Sequence, residues 1–315
     1  MHTPWWRNRR LLPLLVQAAV GLVVLVMIAY LLGNLVRNLS AAGLLLSWRW
    51  LNLPAGFDIS ESLLPFNAEL PYWRALLAGL VNTVRVVLIA LVGATLLGTV
   101  VGTAAFSSNG LLRRLSCTYV ELIRNVPLLL QLLFWYFVVF LSLPDGSAAI
   151  QLPWMVLAKS GLHLGSPQLV NGVWQGSLRI TLEFAALLTG LIIHSGAFIA
   201  EVVRGGVAAV PPGQWEAARS LGLHAGQTLS RIVLPQALRV IVPALNSQYI
   251  SLAKNSSLAV ACGYSDLYSV AETTLNQTGR SVEVVLILLG TYLAMDLVIS
   301  LVMNRLNRLV QIQER

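Results

Sequence analysis

Long stretches of this chain carry no charge, and that limits its possible folds more than any other feature. From Leu11 to Val36 there is no Asp, Glu, Lys or Arg. An α-helix rising about 1.5 Å per residue needs about twenty apolar residues to cross a ~30 Å hydrocarbon core. Lipid offers backbone N–H and C=O groups no partners, so runs of this length read as helices that satisfy their own bonds. Six spans can be drawn, at 11–36, 80–106, 118–142, 178–203, 237–260 and 282–304.

Composition points the same way. Hydrophobic residues make up 57% of the 315 and charged residues 11%, against roughly 25% charged in soluble domains. The expected fold class is all-α: a polytopic helical membrane protein with about six transmembrane helices in a lipid bilayer. The formal charge of +8 would suggest nucleic acid in a soluble chain. Here the excess Arg sits mainly beside apolar spans, so no nucleic-acid partner is expected. Arg7, Arg9 and Arg10 precede the first span like a signal peptide. That span is too long for such a segment and no small-residue cleavage site follows, so it reads as a retained helix.

Basic residues orient the spans. With the N-terminus inside, Arg7, Arg9, Arg10, Arg113, Arg114, Arg124, Arg204, Arg219, Arg231, Arg239, Arg305, Arg308 and Arg315 fall on the cytoplasmic side. Both termini and the 204–236 loop are then cytoplasmic. Residues 37–79, with Trp48, Trp50, Pro54, Pro65, Pro71 and Trp73, read as an irregular interfacial connection. Residues 143–177 read as an extracytoplasmic loop or short helix. The expected domains are 1–75, a first helix with its external segment, and 76–310, a transmembrane domain. Gly93, Gly98 and Gly102 form a small-residue stripe that lets helix backbones approach.

Several chemistries lack their residues. No G-x-x-x-x-G-K-[ST] phosphate loop occurs, so ATP hydrolysis by that route is excluded. His2, His163, His194 and His224 are scattered, with no close pair to ligate a metal. Cys117 and Cys262 fall at opposite membrane faces, so no disulfide between them is expected. Neither a catalytic group nor a bound cofactor is expected.

One polar, helix-capable island interrupts the apolar spans. Pro211-Pro212-Gly213 stops the preceding helix, residues 214–221 read as a short helix, and Gly222 stands where its C-terminal cap falls. Residues 223–234 read as a second short helix lying on the membrane face, with Leu223, Leu229, Ile232 and Val233 on its apolar side. Pro235 can open the next span, where its missing N–H costs little. The pattern Glu216-Ala217-Ala218-x3-Gly222-x9-Ile232-x-Leu234-Pro235 resembles the coupling loop of ABC-importer permeases.

The resemblance extends over about 75–310. Ile123-Arg124-Asn125-Val126-Pro127-Leu128-Leu129-Leu130-Gln131-Leu132 resembles a stretch of polar-amino-acid permeases. Ile199–Gly206, Lys254–Ala259 and Thr273–Thr278 resemble further segments, and general L-amino-acid permeases of Gram-negative bacteria match best. The resemblance implies a permease of the bacterial inner membrane. Its partners would be an ABC ATPase dimer, a second, related permease and a periplasmic amino-acid-binding protein. ATP would be used by the partner ATPase. Coupling would fall to Glu216, Ala217, Ala218, Arg219, Gly222, Leu234 and Pro235 in the 211–236 loop, the two alanines allowing a partner surface to approach closely.

Ionisable and polar groups inside spans are expensive and face a pathway or a partner. Arg85, Glu183, His194, Asn246, Gln248, Lys254, Asn255 and Asp296 are such groups. Arg85 or Lys254 can meet an amino acid's carboxylate and Glu183 its ammonium, or these three can form interhelical ion pairs. Arg124 and Asn125 join the candidates because Pro127 frees a backbone carbonyl beside them. His194 reads equally as a hydrogen-bonded packing residue. Asp296 departs from the uncharged residue usual in the resembled family, and no substrate contact is carried over to it. The alternative function is an ATP-independent ion-coupled carrier or channel, which would give the cytoplasmic island no task. An intramembrane enzyme would have to rely on His194 and Asp296.

Overall fold

The computed structural model describes residues 11–41, 43, 46–176 and 178–311, apart from the side chains of residues 11, 12 and 173. His2, Arg7, Arg9, Arg10 and Arg315 lie outside the described residues. The chain divides into two compact units, Met1–Trp50 and Leu51–Arg315. The division falls ahead of the expected 75/76 boundary. Residues beyond Leu51 are tied to the helices, for example by Asn82, whose Nδ2 donates to Glu61 O at 2.7 Å and Ser265 O at 2.8 Å.

In the first unit, α1 is a single helix, Leu11–Ala41, longer than its apolar run alone implied. In the second, α2 (Tyr72–Ala104) starts directly after Pro71, whose extended backbone sets up the first turn. Then come α3 (Gly110–Arg124), capped by Asn109 accepting from Leu111 N at 2.9 Å, and α4 (Leu128–Leu133), which passes into a π-helical turn at Phe134–Phe140.

The third span, expected as one crossing over 118–142, is instead broken. The Gly110–Arg124 and Leu128–Phe140 segments meet at 104°. Pro127 has no N–H to donate and disfavours helical backbone at Val126. Gln131 satisfies the carbonyls this frees, its Nε2 donating to Ile123 O and Val126 O, both at 2.9 Å.

Residues 143–177 depart from expectation. After a short 3-10 turn at Gly146–Ala148 they form most of a small β structure, which the expectation of a loop or short helix did not include. Strands β1 (Ile150–Leu152), β2 (Met155–Ala158), β3 (Gly161–Leu164), β4 (Gln168–Val170), β5 (Val173–Gln175) and β6 (Leu178–Ile180) make a four-stranded antiparallel sheet, β1-β2-β3-β6, and a separate β4-β5 hairpin. Alternation in β2 and β3 buries Val156, Ala158 and His163. Asn171 (φ 51°) and Gly172 (φ 79°) form the two-residue turn of the hairpin. Residues 178–180, expected inside the fourth span, are therefore strand.

The fourth span is α5 (Leu182–Ala208), capped by Thr181. It runs on through Gly205 and Gly206, beyond the expected end at 203. Next are α6 (Pro212–Ser220), α7 (Ala225–Thr228), a π-helical turn at Leu229–Val233, α8 (Leu234–Asn255), a 3-10 turn at Ser256–Cys262, α9 (Leu267–Thr278) and α10 (Ser281–Val310). Helix α9, which no apolar run signalled, is too short to cross.

Helices α2 and α5 form the tightest pair and run in the same direction. A Cβ at Gly98 would sit 2.5 Å from Ile199 Cγ2 and 2.8 Å from Gly196 O, and one at Gly102 would sit 2.6 Å from Ala200 O. The glycine stripe is thus the contact line. Around it Val86, Ala90 and Ala94 pack with Leu187 and Leu191 to form the core. Helix α8 returns antiparallel to α5: Gly206 faces Ile241 near one end, and Phe184 lies 5.6 Å from Tyr264 at the other. One end of this bundle carries residues 105–109 and 209–233. The opposite end carries residues 53–71, the strands and α9.

Candidate functional site

The polar island is a built element. Pro212 starts α6, and Gly222 (φ 77°) ends it in a Schellman turn. Gly222 N donates to Arg219 O at 2.9 Å and Leu223 N to Ala218 O at 3.1 Å, satisfying carbonyls that the helix end would otherwise leave open. Residues 223–234 differ from the separate helix expected. From Ala225 the chain is helical into α8, with π geometry at Leu229–Val233 immediately ahead of Leu234 and Pro235. Pro235 has no N–H to give the preceding turn, and the helix loosens there without breaking.

The element is fastened to the span ends. Trp215 stacks on Phe106, just beyond α2, and Gln236 Nε2 donates to Gln214 Oε1 at 3.1 Å. A cavity of about 480 Å³ lies beneath it, lined by Phe106, Val207, Pro212, Trp215, Arg219 and Thr228. Ala218 is only 3% exposed. Its small side chain thus serves packing within this chain, which corrects the reading that it makes room for a partner. Glu216, Ala217, Arg219 and Gly222 are exposed, as is Pro235, while Leu234 is half-buried. Leu221, which sequence reasoning passed over, is 81% exposed. An apolar side chain at the tip of a rigid turn is a natural knob for another protein.

The candidate pathway groups do not converge. Arg85 pairs with Glu61 at 2.7 Å and lies 4.1 Å over the Phe184 ring, and Thr181 Oγ1 also donates to Glu61. Glu61 was not foreseen. Glu183 accepts from Tyr136 Oη at 3.2 Å. Lys254 on α8 reaches Asp296 on α10 at 3.3 Å, an interhelical ion pair. His194 contacts Gln131 Nε2 at 3.2 Å and packs 5.0 Å from Phe198, so it supports the break in the third span. Asn125 is exposed at the break, while Asn246, Gln248 and Asn255 are half-buried along α8.

Arg124 lies elsewhere, between α3 and α5. It approaches Glu201 at 3.9 Å and Phe198 at 5.2 Å. Cys117 and Cys262 are both free thiols.

Known proteins share this architecture. The profile of the family "Binding-protein-dependent transport system inner membrane component" matches residues 94–312. The chain is 36% identical to the protein YhdX of Escherichia coli (strain K12), over 96% of this chain and 93% of that one. It is 34% identical to AapQ, a general L-amino acid transport system permease protein of Rhizobium johnstonii, over 90% and 87%. A solved structure described as an amino acid ABC transporter with histidines aligns with a TM-score of 0.58 and 28% identity, over 75% of this chain and 94% of that one. With several helices long and apolar enough to cross a bilayer, this is a multi-pass membrane protein. The chain belongs to the binding-protein-dependent transport system inner membrane component family.

Proposed function

We propose that this chain is a permease subunit of an ATP-driven ABC importer for amino acids. The substrate class follows the relatives, AapQ among them, whose names give L-amino acids as cargo. The observation that carries the mechanism is the clamped 211–235 element, with Leu221 exposed at its tip and Trp215 stacked on Phe106. An ATPase dimer in the cytoplasm grips the exposed Glu216, Ala217, Arg219, Leu221 and Gly222. Its closure on ATP pushes α6, and the push reaches α2 through Phe106 and α8 through the continuous helix from Ala225. The bundle then opens inward to cargo delivered by a periplasmic binding protein. A second, related permease supplies the other wall of the pathway. This chain binds no ATP itself.

The test is ATP-dependent uptake by vesicles holding the assembled complex. Gly222→Asp forces a side chain into a left-handed backbone position and sets a carboxylate on the gripping surface. The expected result is an assembled complex that hydrolyses ATP without uptake. Uptake at the wild-type rate would remove the coupling role, and uptake without any ATPase would favour an ion-coupled carrier.

A further inference from the structure

The strand register leaves one face of the four-stranded sheet wholly aliphatic. Across β1, β2, β3 and β6 one row reads Ile150, Leu157, Leu162, Ile180, and the next reads Leu152, Met155, Leu164, Leu178. Side chains alternate along a strand, so both rows point to the same side. The other face is closed by this chain, where Val156 and Ala158 are buried with Ala149 and Trp174. The aliphatic face stays open. Ile150 is 45% exposed, Leu152 44% and Leu178 68%, and the remaining five are half-buried. Soluble surfaces rarely leave a contiguous apolar patch of this kind in water.

Its surroundings narrow what covers it. The face offers no side-chain hydrogen-bonding group, whereas a protein interface forms about one hydrogen bond per 100–200 Å². Lys159 lies in the β2–β3 turn, and Arg179 sits on the opposite face beside His163. Position is fixed from both sides. Only Thr181 separates β6 from span α5, and Ile180 packs on the core of the helix bundle. The chain reaches β1 from the π-helical end of the third span, where Phe134, Phe137 and Val138 are each more than half exposed. The whole sheet is only about 14 Å across at ~4.8 Å per strand. Glu183, in the first turn of α5, puts an ionisable group at the same level, as a span end at the headgroups requires. Trp154, 75% exposed in the β1–β2 turn, is of the residue type that gathers at membrane–water boundaries.

We propose that the aliphatic face rests on the bilayer, at the headgroup–acyl boundary of the leaflet at this end of the bundle. The partner is lipid and not a second protein. The two aliphatic rows meet the acyl edge, Trp154 lies among the headgroups, and the exposed Gln151 and Arg179 turn to water. The sheet then anchors the start of α5 through Thr181. This rests on the chain being a multi-pass membrane protein and is independent of its cargo.

The test uses the assembled permease–ATPase complex in lipid vesicles. In a Cys117→Ser background, Ile150→Cys, Leu178→Cys and Gln151→Cys each receive a nitroxide label, and the signal of the background complex is subtracted. Oxygen concentrates in hydrocarbon, while a nickel chelate stays in water. Labels at Ile150 and Leu178 should be relaxed several-fold more by oxygen than by the chelate. The label at the neighbouring Gln151 should show the reverse, a contrast between adjacent positions that misfolding would not produce. Chelate access at Ile150 and Leu178 equal to that at Gln151 would overturn the proposal by leaving the face in water. Exclusion of both relaxants there would overturn it in favour of a covering protein. A second measurement needs no substitution. Wild-type complex in vesicles containing a phospholipid with a diazirine near its headgroup should carry photoadducts at residues 150–152 and at Leu178. Adducts on α2 with none on the sheet would also overturn it.

Discussion

Trp215 stacks on Phe106 with ring centroids 6.4 Å apart and planes 25° from parallel. One ring belongs to α6 and the other to the connection after α2, so a displacement of α6 bears directly on the end of a span. Aromatic pairs at this separation contribute about 0.5–1.5 kcal/mol beyond burial. Trp215→Ala should therefore cost little overall stability and leave the complex assembled. Uptake per ATP hydrolysed should fall, because part of the push is lost in a loosened joint. Parallel assays of uptake and phosphate release on the same vesicles check this, and an unchanged ratio would show that force does not travel through Phe106.

The α2–α5 contact gives a prediction of opposite signs. Gly98→Ala places a methyl group 2.5 Å from Ile199 Cγ2 and 2.8 Å from Gly196 O. The Ile side chain can turn away, but the backbone carbonyl cannot, and overpacking of this kind costs about 1–3 kcal/mol. A methyl at Gly290 on α10 meets nothing within 4 Å. There the replacement should stabilise by about 0.5–1 kcal/mol, since Ala restricts a helix less unfavourably than Gly. Thermal unfolding in detergent should lower the midpoint for Gly98→Ala and raise it for Gly290→Ala.

Glu61 holds the 53–71 segment to the bundle by accepting from both Arg85 and Thr181. Both members of the ion pair are mostly buried, so Glu61→Gln leaves the guanidinium against Phe184 without its counter-charge. The expected cost is about 1.5–3 kcal/mol, the range for hydrogen bonds to charged groups. Adding Arg85→Met should recover much of that loss, because the second change removes the stranded charge. Limited proteolysis within 53–71 reads the effect, and strictly additive losses in the double variant would show that the pair is not coupled.

The apolar spans, the glycine stripe and the turn at Gly222 were legible because each has a local cause: length, small size and a required positive φ. The sheet was harder to see, since its strands of three or four residues gain stability from pairing rather than periodicity. Asn171-Gly172 was nonetheless a readable hairpin signal. The bend at Asn125–Pro127 was visible as a proline but not as an angle, because Gln131 and His194 fix it from other turns. Glu61 sits in an irregular stretch where no pattern places a side chain, and its partner Thr181 is 120 positions away. Leu221 read as an ordinary apolar residue, and its exposure follows only from the turn that ends α6.

The sheet carries its own pH dependence. His163 on β3 is 3% exposed and sits opposite Arg179 on β6. Burial and the neighbouring guanidinium lower its pKa, and Asp145 opposes them in part. The folded sheet therefore holds His163 neutral. As pH falls through the ordinary histidine value of about 6.5, the unfolded segment takes up a proton that the folded one resists. Stability is thus present above that value and is lost as pH drops toward the lowered folded pKa. Hydrogen exchange of residues 150–180 should be slow at pH 7.5 and accelerate, beyond the intrinsic pH effect, between about pH 6.5 and 5. His163→Phe removes the titration and should flatten the profile, whereas Arg179→Gln should make the loss smaller and complete it at a higher pH, by raising the folded pKa toward normal. An unchanged acid profile in His163→Phe would assign the dependence to another group.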